Sequence, residues 1–203
     1  MITLIAAEQS KLLREWGTPE DPYYGPVSPS YYIQFYPPQQ FRALQSFVSA
    51  YFEIIGSEQP CLVVFTDWAL YEQHEMELIV AARLASGDAR PLIESSGHFL
   101  NANEKNMGTA YFSLATAYGW SSYLYLPGSK TTLFNWEGDI FDFWTDSEKT
   151  LEEMRNLVTT YELKYTQSEQ SGADNPRPCG TSGMAPADSA SRAGALPEAS
   201  GGI

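Results

Sequence analysis

The 203-residue sequence predicts an α/β domain: a mixed sheet of about five strands with a parallel βαβ unit, a C-terminal antiparallel meander and packed helices. Two β-rich runs, 31–36 (YYIQFY) and 61–66 (CLVVFT), flank one strongly amphipathic helical stretch. A strand, a helix and a second strand in succession normally make a right-handed crossover and a parallel pair. Further on, SSYLYL, TTLFNW and DIFDFW follow one another with turn-length connections, the pattern of a meander.

The elements follow in order. Residues 4–16 form a predicted helix with Ile5, Leu12, Leu13 and Trp16 on its apolar side, stopped by Gly17 and Pro19. Pro19, Pro22, Pro26 and Pro29 then keep the chain irregular. Pro37 and Pro38 end the first strand where a helix can begin, because Pro fits a first helical turn. From 38 to 55 the residues Phe41, Leu44, Val48, Tyr51, Phe52 and Ile55 share one stripe, closed by Gly56. The run 61–66 is apolar at every other-face position as well, so it reads as a strand covered on both sides. Asp67 is placed to cap a helix that ends near Ser86 and Gly87. Residues 87–100 read as a loop, after which Asn101 and Glu104 supply a capping box. The helix behind it buries Met107, Ala110, Tyr111, Leu114 and Tyr118, and a last helix over 147–161 buries Leu151, Met154, Val158 and Tyr161.

The domain is expected to end near residue 165. Residues 166–203 contain no Phe, Tyr or Trp and are rich in Gly, Ala, Ser and Pro, so they bury too little apolar surface to offset the entropy of ordering. A disordered tail is the expectation. Residues 106–129 carry no charge, but their Gly, Ser, Thr and Pro content and their change of period read as a core helix followed by a strand, not a membrane span. The first residues lack a basic leader, which argues against a secretory signal. Of two cysteines, Cys61 opens an apolar run and Cys179 lies in the tail, which suits a reducing, cytoplasmic setting without disulfides.

The whole chain has a formal charge of −13, and residues 1–164 hold 21 acidic against 10 basic residues. No basic stripe is available to neutralise phosphates, so direct nucleic-acid binding is not expected. A strongly acidic domain instead attracts basic partners. There is no GxxxxGK[ST] and no GxGxxG after a strand, so no nucleotide cofactor is predicted.

Two candidate regions emerge. From Glu137 to Glu153 there are seven carboxylates against Lys149 alone, interleaved with Trp136, Phe141, Phe143 and Trp144. Strand alternation puts Asp142 and Trp144 on one face if Phe141 and Phe143 point to the core. Trp136, Glu137, Asp139, Asp142, Trp144 and Asp146 therefore form a candidate partner-binding surface, an aromatic anchor ringed by steering charge. The competing explanation for part of it is structural, since Asp146, Glu148 and Glu152 lie near a helix start that favours negative charge. Tyr23, Tyr24, Tyr31, Tyr32 and Tyr36 form either a second contact surface or a lid over the core.

The rival region is catalytic. His98, Glu94 and Asp67 are candidates for a small hydrolase or ligand site, with Ser95 or Ser96 as nucleophile, although no GxSxG elbow is present. The bland alternative for His98 is a loop imidazole bonded to backbone. His74 and Glu77 share a helix face, but a closed metal site needs more ligands than these two, so no metal is predicted.

Taken together, FTDW at 65–68, RPLIESSGHFL at 90–100, YGWSSYLYL at 118–126 and DIFDFW at 139–144 resemble small acidic bacterial α/β proteins, a group that includes toxin-immunity proteins. The resemblance spans residues 60–160 and carries no catalytic residues. What it implies is a non-enzymatic inhibitor that neutralises a basic, toxin-like protein.

Overall fold

The computed structural model describes residues 1–25, 28–56, 58–67 and 73–166, leaving aside the side chains of 73–75. Seven strands form one sheet: β1 (Ile2–Leu4), β2 (Tyr31–Phe35), β3 (Cys61–Asp67), β4 (Gly97–Leu100), β5 (Ser121–Leu126), β6 (Thr131–Trp136) and β7 (Ile140–Thr145). Among the described residues five helices accompany them: α1 (Ala6–Trp16), α2 (Phe41–Ile54), α3 (Gln73–Ala85), α4 (Lys105–Ala117) and α5 (Glu148–Thr160). The expected tail falls outside the described residues, as do the side chain of His74 and the first residues after Asp67.

The sheet order is β1-β4-β3-β5-β6-β7-β2, and each neighbouring pair is antiparallel. This corrects the expected mixed α/β sheet with a parallel βαβ unit. Because neighbours alternate in direction, β2 and β3 do run the same way, as a helical crossover requires. They do not pair, since β5, β6 and β7 lie between them. The crossover rule governs direction and handedness; adjacency depends on pairings made by residues much later in the chain. The meander β5-β6-β7 is present as expected. Seven strands, not about five, are present among the described residues because β1 and β4 have only 3 and 4 residues, β1 ahead of the stretch that reads as helix and β4 in one that reads as loop.

One face of the sheet, the inner face, carries Ile33, Phe35, Val63, Phe65, Leu124, Leu126, Leu133, Phe141 and Phe143, all in one buried cluster with side chains of α2, α4 and α5. The helix α2 contributes Leu44, Phe47, Val48, Tyr51 and Phe52, while Phe41 stays partly in water at its first turn. Fully burying one such side chain stabilises by about 1.5–3 kcal/mol. The opposite, outer face is covered by α1, where Leu13 joins Leu62, Val64 and Tyr125 in a smaller cluster. Strand β3 is thus apolar on both sides because helices lie on both. The capping box of Asn101 and Glu104 closes a single 3-10 turn, Ala102–Glu104, that leads into α4.

Among the described residues no helix is long and apolar enough to cross a membrane. Cys61 is a buried free thiol whose pKa burial pushes up to about 12, so it is an inert hydrophobic residue.

Candidate binding face

Pairing register lays out the outer face as a row across five strands. Val64 stands opposite Tyr123, Tyr123 opposite Phe134, Phe134 opposite Asp142, and Asp142 opposite Gln34. Tyr123 and Phe134 stack with ring centroids 4.3 Å apart, and Trp136 meets Phe134 edge-on at 5.9 Å. The proline-rich segment before β2 folds back over the row. Tyr23 packs edge-on against Trp144 at 4.7 Å, and the Tyr125 hydroxyl donates to the Glu20 carbonyl at 2.6 Å.

These contacts divide the six residues of the candidate surface. Phe141 and Phe143 do point to the core, so Asp142 and Trp144 do share the other face. Both are nonetheless buried, at 1% and 2% exposure, because Tyr23 and Tyr32 lie over them. The Asp142 carboxylate accepts hydrogen bonds from Tyr23, from the Tyr32 hydroxyl at 2.6 Å and from Gln34 Nε2 at 2.7 Å. Burial raises its pKa above the ordinary value, and the three donors offset only part of that rise. Asp142 is therefore a structural anchor for the Tyr23 segment. Part of the Tyr-rich segment is a lid, as one of the two readings has it, while Tyr24 remains exposed.

Trp136, Glu137 and Asp139 stay together in water. They sit at the β6–β7 turn, where Glu137 and Gly138 both adopt positive φ, 47° and 80°, the backbone of a tight hairpin. The Asp139 amide donates to the Trp136 carbonyl at 2.9 Å and the Gly138 amide to Asn135 Oδ1 at 3.0 Å. A side chain at 138 would run into the Thr116 carbonyl, so the turn presses against the end of α4 and holds Trp136 at 51% exposure. Beside it lies a cleft of about 380 Å³ lined by Phe41, Thr116, Glu137 and Asp139. Asp146 is exposed at the other end of β7, about 20 Å of strand away, and accepts from the Ser30 amide at 2.9 Å.

A larger cleft, about 480 Å³, opens on the outer face between α1 and the row of rings. Leu13, Val64, Tyr123, Tyr125 and Phe134 give it apolar walls, and Gln9, Glu20, Asp21, Thr66 and Ser96 add polar groups. Gly97 makes this wall possible: a Cβ there would come within 2.7 Å of the Gln9 side chain, which lies flat on it and donates to the Leu4 carbonyl at 2.9 Å.

The residues proposed for catalysis occupy three different settings. His98 pairs with Val63 and faces inward, fully buried, its ring 4.9 Å from Phe65 and 4.8 Å from Tyr111. Burial, then the nearby Arg83 charge, pulls its pKa down to about 3, so the imidazole is neutral and a weak base. Glu94 and Asp67 are both exposed, Asp67 at the end of β3 about 13 Å of strand beyond the residue that pairs with His98. The large cleft lies on the opposite side of the sheet from the His98 ring.

What organises His98 is a residue that sequence reasoning passed over. Arg83 of α3 is buried at 2% exposure, and its guanidinium donates to the Ser95 carbonyl at 2.7 Å, the Ser95 hydroxyl at 2.5 Å and the Arg90 carbonyl at 2.9 Å. Nη1 also sits 3.3 Å from His98 Nε2, and Asp88 Oδ2 lies 4.0 Å from Nη2. Burial lowers the Arg83 pKa, with Asp88 opposing. Ser95 is thus a receiver for a structural arginine, and a neutral His98 accepts beside it. The signal was the apolar context of VAARLA, in which a lone arginine ordinarily reads as solvated. Among the described residues no group of three or more His, Cys, Asp or Glu side chains is placed to hold a metal ion.

Comparison with family models, curated proteins and solved structures yields no match for this chain.

Proposed function

We propose that this protein is a non-enzymatic binding domain, cytoplasmic and of the immunity type, that neutralises a basic, toxin-like protein through the β6–β7 turn. The observation that carries the reading is Trp136, half in water on a tight hairpin beside the exposed carboxylates Glu137 and Asp139. A tryptophan anchored in this way loses little entropy on docking and buries a large area, which is how interface hot spots work. The surrounding negative charge, part of a net −11 over residues 1–164, speeds capture of a positive surface. Asp142 and Trp144 are buried and leave no side chain for the partner to touch.

The test uses the intact chain as bait in lysate of its native cell, beside the triple variant Trp136→Ala, Glu137→Lys, Asp139→Lys. The expected result is a basic protein held by the native chain at low salt, released by salt, and absent from the variant. With the purified pair, association slows in the variant and loses its salt dependence. Equal retention by both baits, or retention that ignores salt, discards the surface.

A further inference from the structure

We infer that the outer-face cleft is a receptor for one arginine side chain of the basic partner. The inference rests on the cationic-partner reading and adds a specificity pocket to it. Arginine is a long apolar stem ending in a planar cation with five N–H donors and no acceptor. The cleft is built in the same two halves. Leu13, Val64, Tyr123 and Phe134 offer a stem-long apolar wall, and Glu20, Asp21, Thr66 and Ser96 supply oxygen acceptors around it. A lysine ammonium has three donors on a compact head, fewer than this spread of acceptors can use.

The carboxylates are positioned by local bonds that keep them available. Asp21 accepts from the Tyr23 amide at 2.9 Å and the Tyr24 amide at 3.2 Å through Oδ1 alone, which shapes the loop and leaves Oδ2 for a ligand. Glu20 accepts from the Ser10 hydroxyl at 2.8 Å through Oε1. The loop itself is tied to the sheet by the Tyr125 hydroxyl and by Tyr23 on Asp142, so the acceptors are preorganised before binding. The wall is continuous with the docking turn through the ring contacts of Tyr123 with Phe134 and Phe134 with Trp136. A partner seated on Trp136 therefore has an arginine pocket within reach along the same face.

The experiment titrates the full chain with the blocked peptide acetyl-Gly-Arg-Gly-amide, following the ring resonances of Tyr123 and Phe134. The citrulline peptide, equal in shape but uncharged, and the lysine peptide serve as comparisons. Saturable shifts with the arginine peptide are expected, with about tenfold weaker binding for the other two, the weight of one charge-assisted hydrogen bond. The double variant Glu20→Gln, Asp21→Asn keeps the Oδ1 acceptor that shapes the loop, and it should weaken the arginine peptide by a similar factor. Unmoved Tyr123 and Phe134 resonances, or equal affinity for the citrulline or lysine peptide, overturn the pocket. Such a failure is distinct from failure of the docking turn: if the Trp136 triple variant still loses the basic partner, the turn stands and the arginine pocket falls.

Discussion

The two faces of the sheet are both largely buried, yet they are built from different materials. The inner face is mainly aliphatic and phenyl, packed against helices, with Arg83 beside His98 as a buried charged centre. The outer face is phenol, indole and carboxylate, closed by one helix and an irregular segment, and it opens into water at Trp136 and at the Glu20–Asp21 rim. The first kind of face holds the chain together. The second has hydrogen-bonding capacity left over at its edges, which suits recognition. Stability should respond mainly to the first, and binding to the second.

The sharpest contrast is between residues of the same hairpin. Phe143 on the inner face is fully buried, in contact with Tyr51. Phe143→Ala should cost about 3–5 kcal/mol in urea unfolding, the sum of lost transfer energy and a cavity that the sheet cannot collapse. A loss below about 1 kcal/mol would mean that the inner face relaxes freely, and the comparison between faces would fail.

A smaller contrast comes from pH, because the two buried titrating centres act in opposite directions. His98 has a folded pKa near 3 against an ordinary 6.5, so the unfolded chain takes up a proton that the folded chain refuses. Stability then falls as pH drops from about 6.5 toward 3, by about 1.4 kcal/mol per unit. Asp142 has a raised folded pKa, so the folded chain keeps a proton that the unfolded chain has released. Its contribution is full below about 3.8 and is lost as pH climbs through the raised value. Unfolding free energies of His98→Gln should lack the steep loss between pH 6.5 and about 4 that the native chain shows. An unchanged slope would place the acid sensitivity elsewhere.

How much of this was visible in the residues alone depends on the range of the interaction. The α2 stripe from Leu44 onward, the two-sided burial of 61–65 and the capping box are local and periodic, and they were legible, although Phe41 and Thr66 are exposed. So was the face shared by Asp142 and Trp144, which follows from alternation. Their burial was not, because it depends on Tyr23, 119 residues from Asp142 in sequence, folding across the sheet. Strand order was hidden for the same reason: nothing in 31–35 states that its partner is 141–145 and not 61–67. At the site, one hairpin turn leaves Trp136, Glu137 and Asp139 together in water, whereas Trp144, the tryptophan that strand alternation set beside a carboxylate, is buried. The large cleft was missed, since its walls come from α1, the 20–21 rim, β3, β5 and β6.

The smallest expected effect on stability is also the most discriminating for function. Trp136 is a large aromatic that the fold leaves half in water, on a turn whose geometry is set by backbone bonds at Gly138 and Asp139. Truncating it removes only the covered half of one indole, so Trp136→Ala should lower unfolding free energy by about 1–2 kcal/mol, well short of the loss at Phe143. The same change should cost about 2 kcal/mol or more in affinity for a basic partner, the scale of a central hot spot. The pairing of the two measurements matters. If stability falls by as much as it does for Phe143→Ala, the indole is a piece of the core and the turn has no surplus surface to offer; if it holds while affinity drops, Trp136 serves recognition, and the hairpin exists to present it.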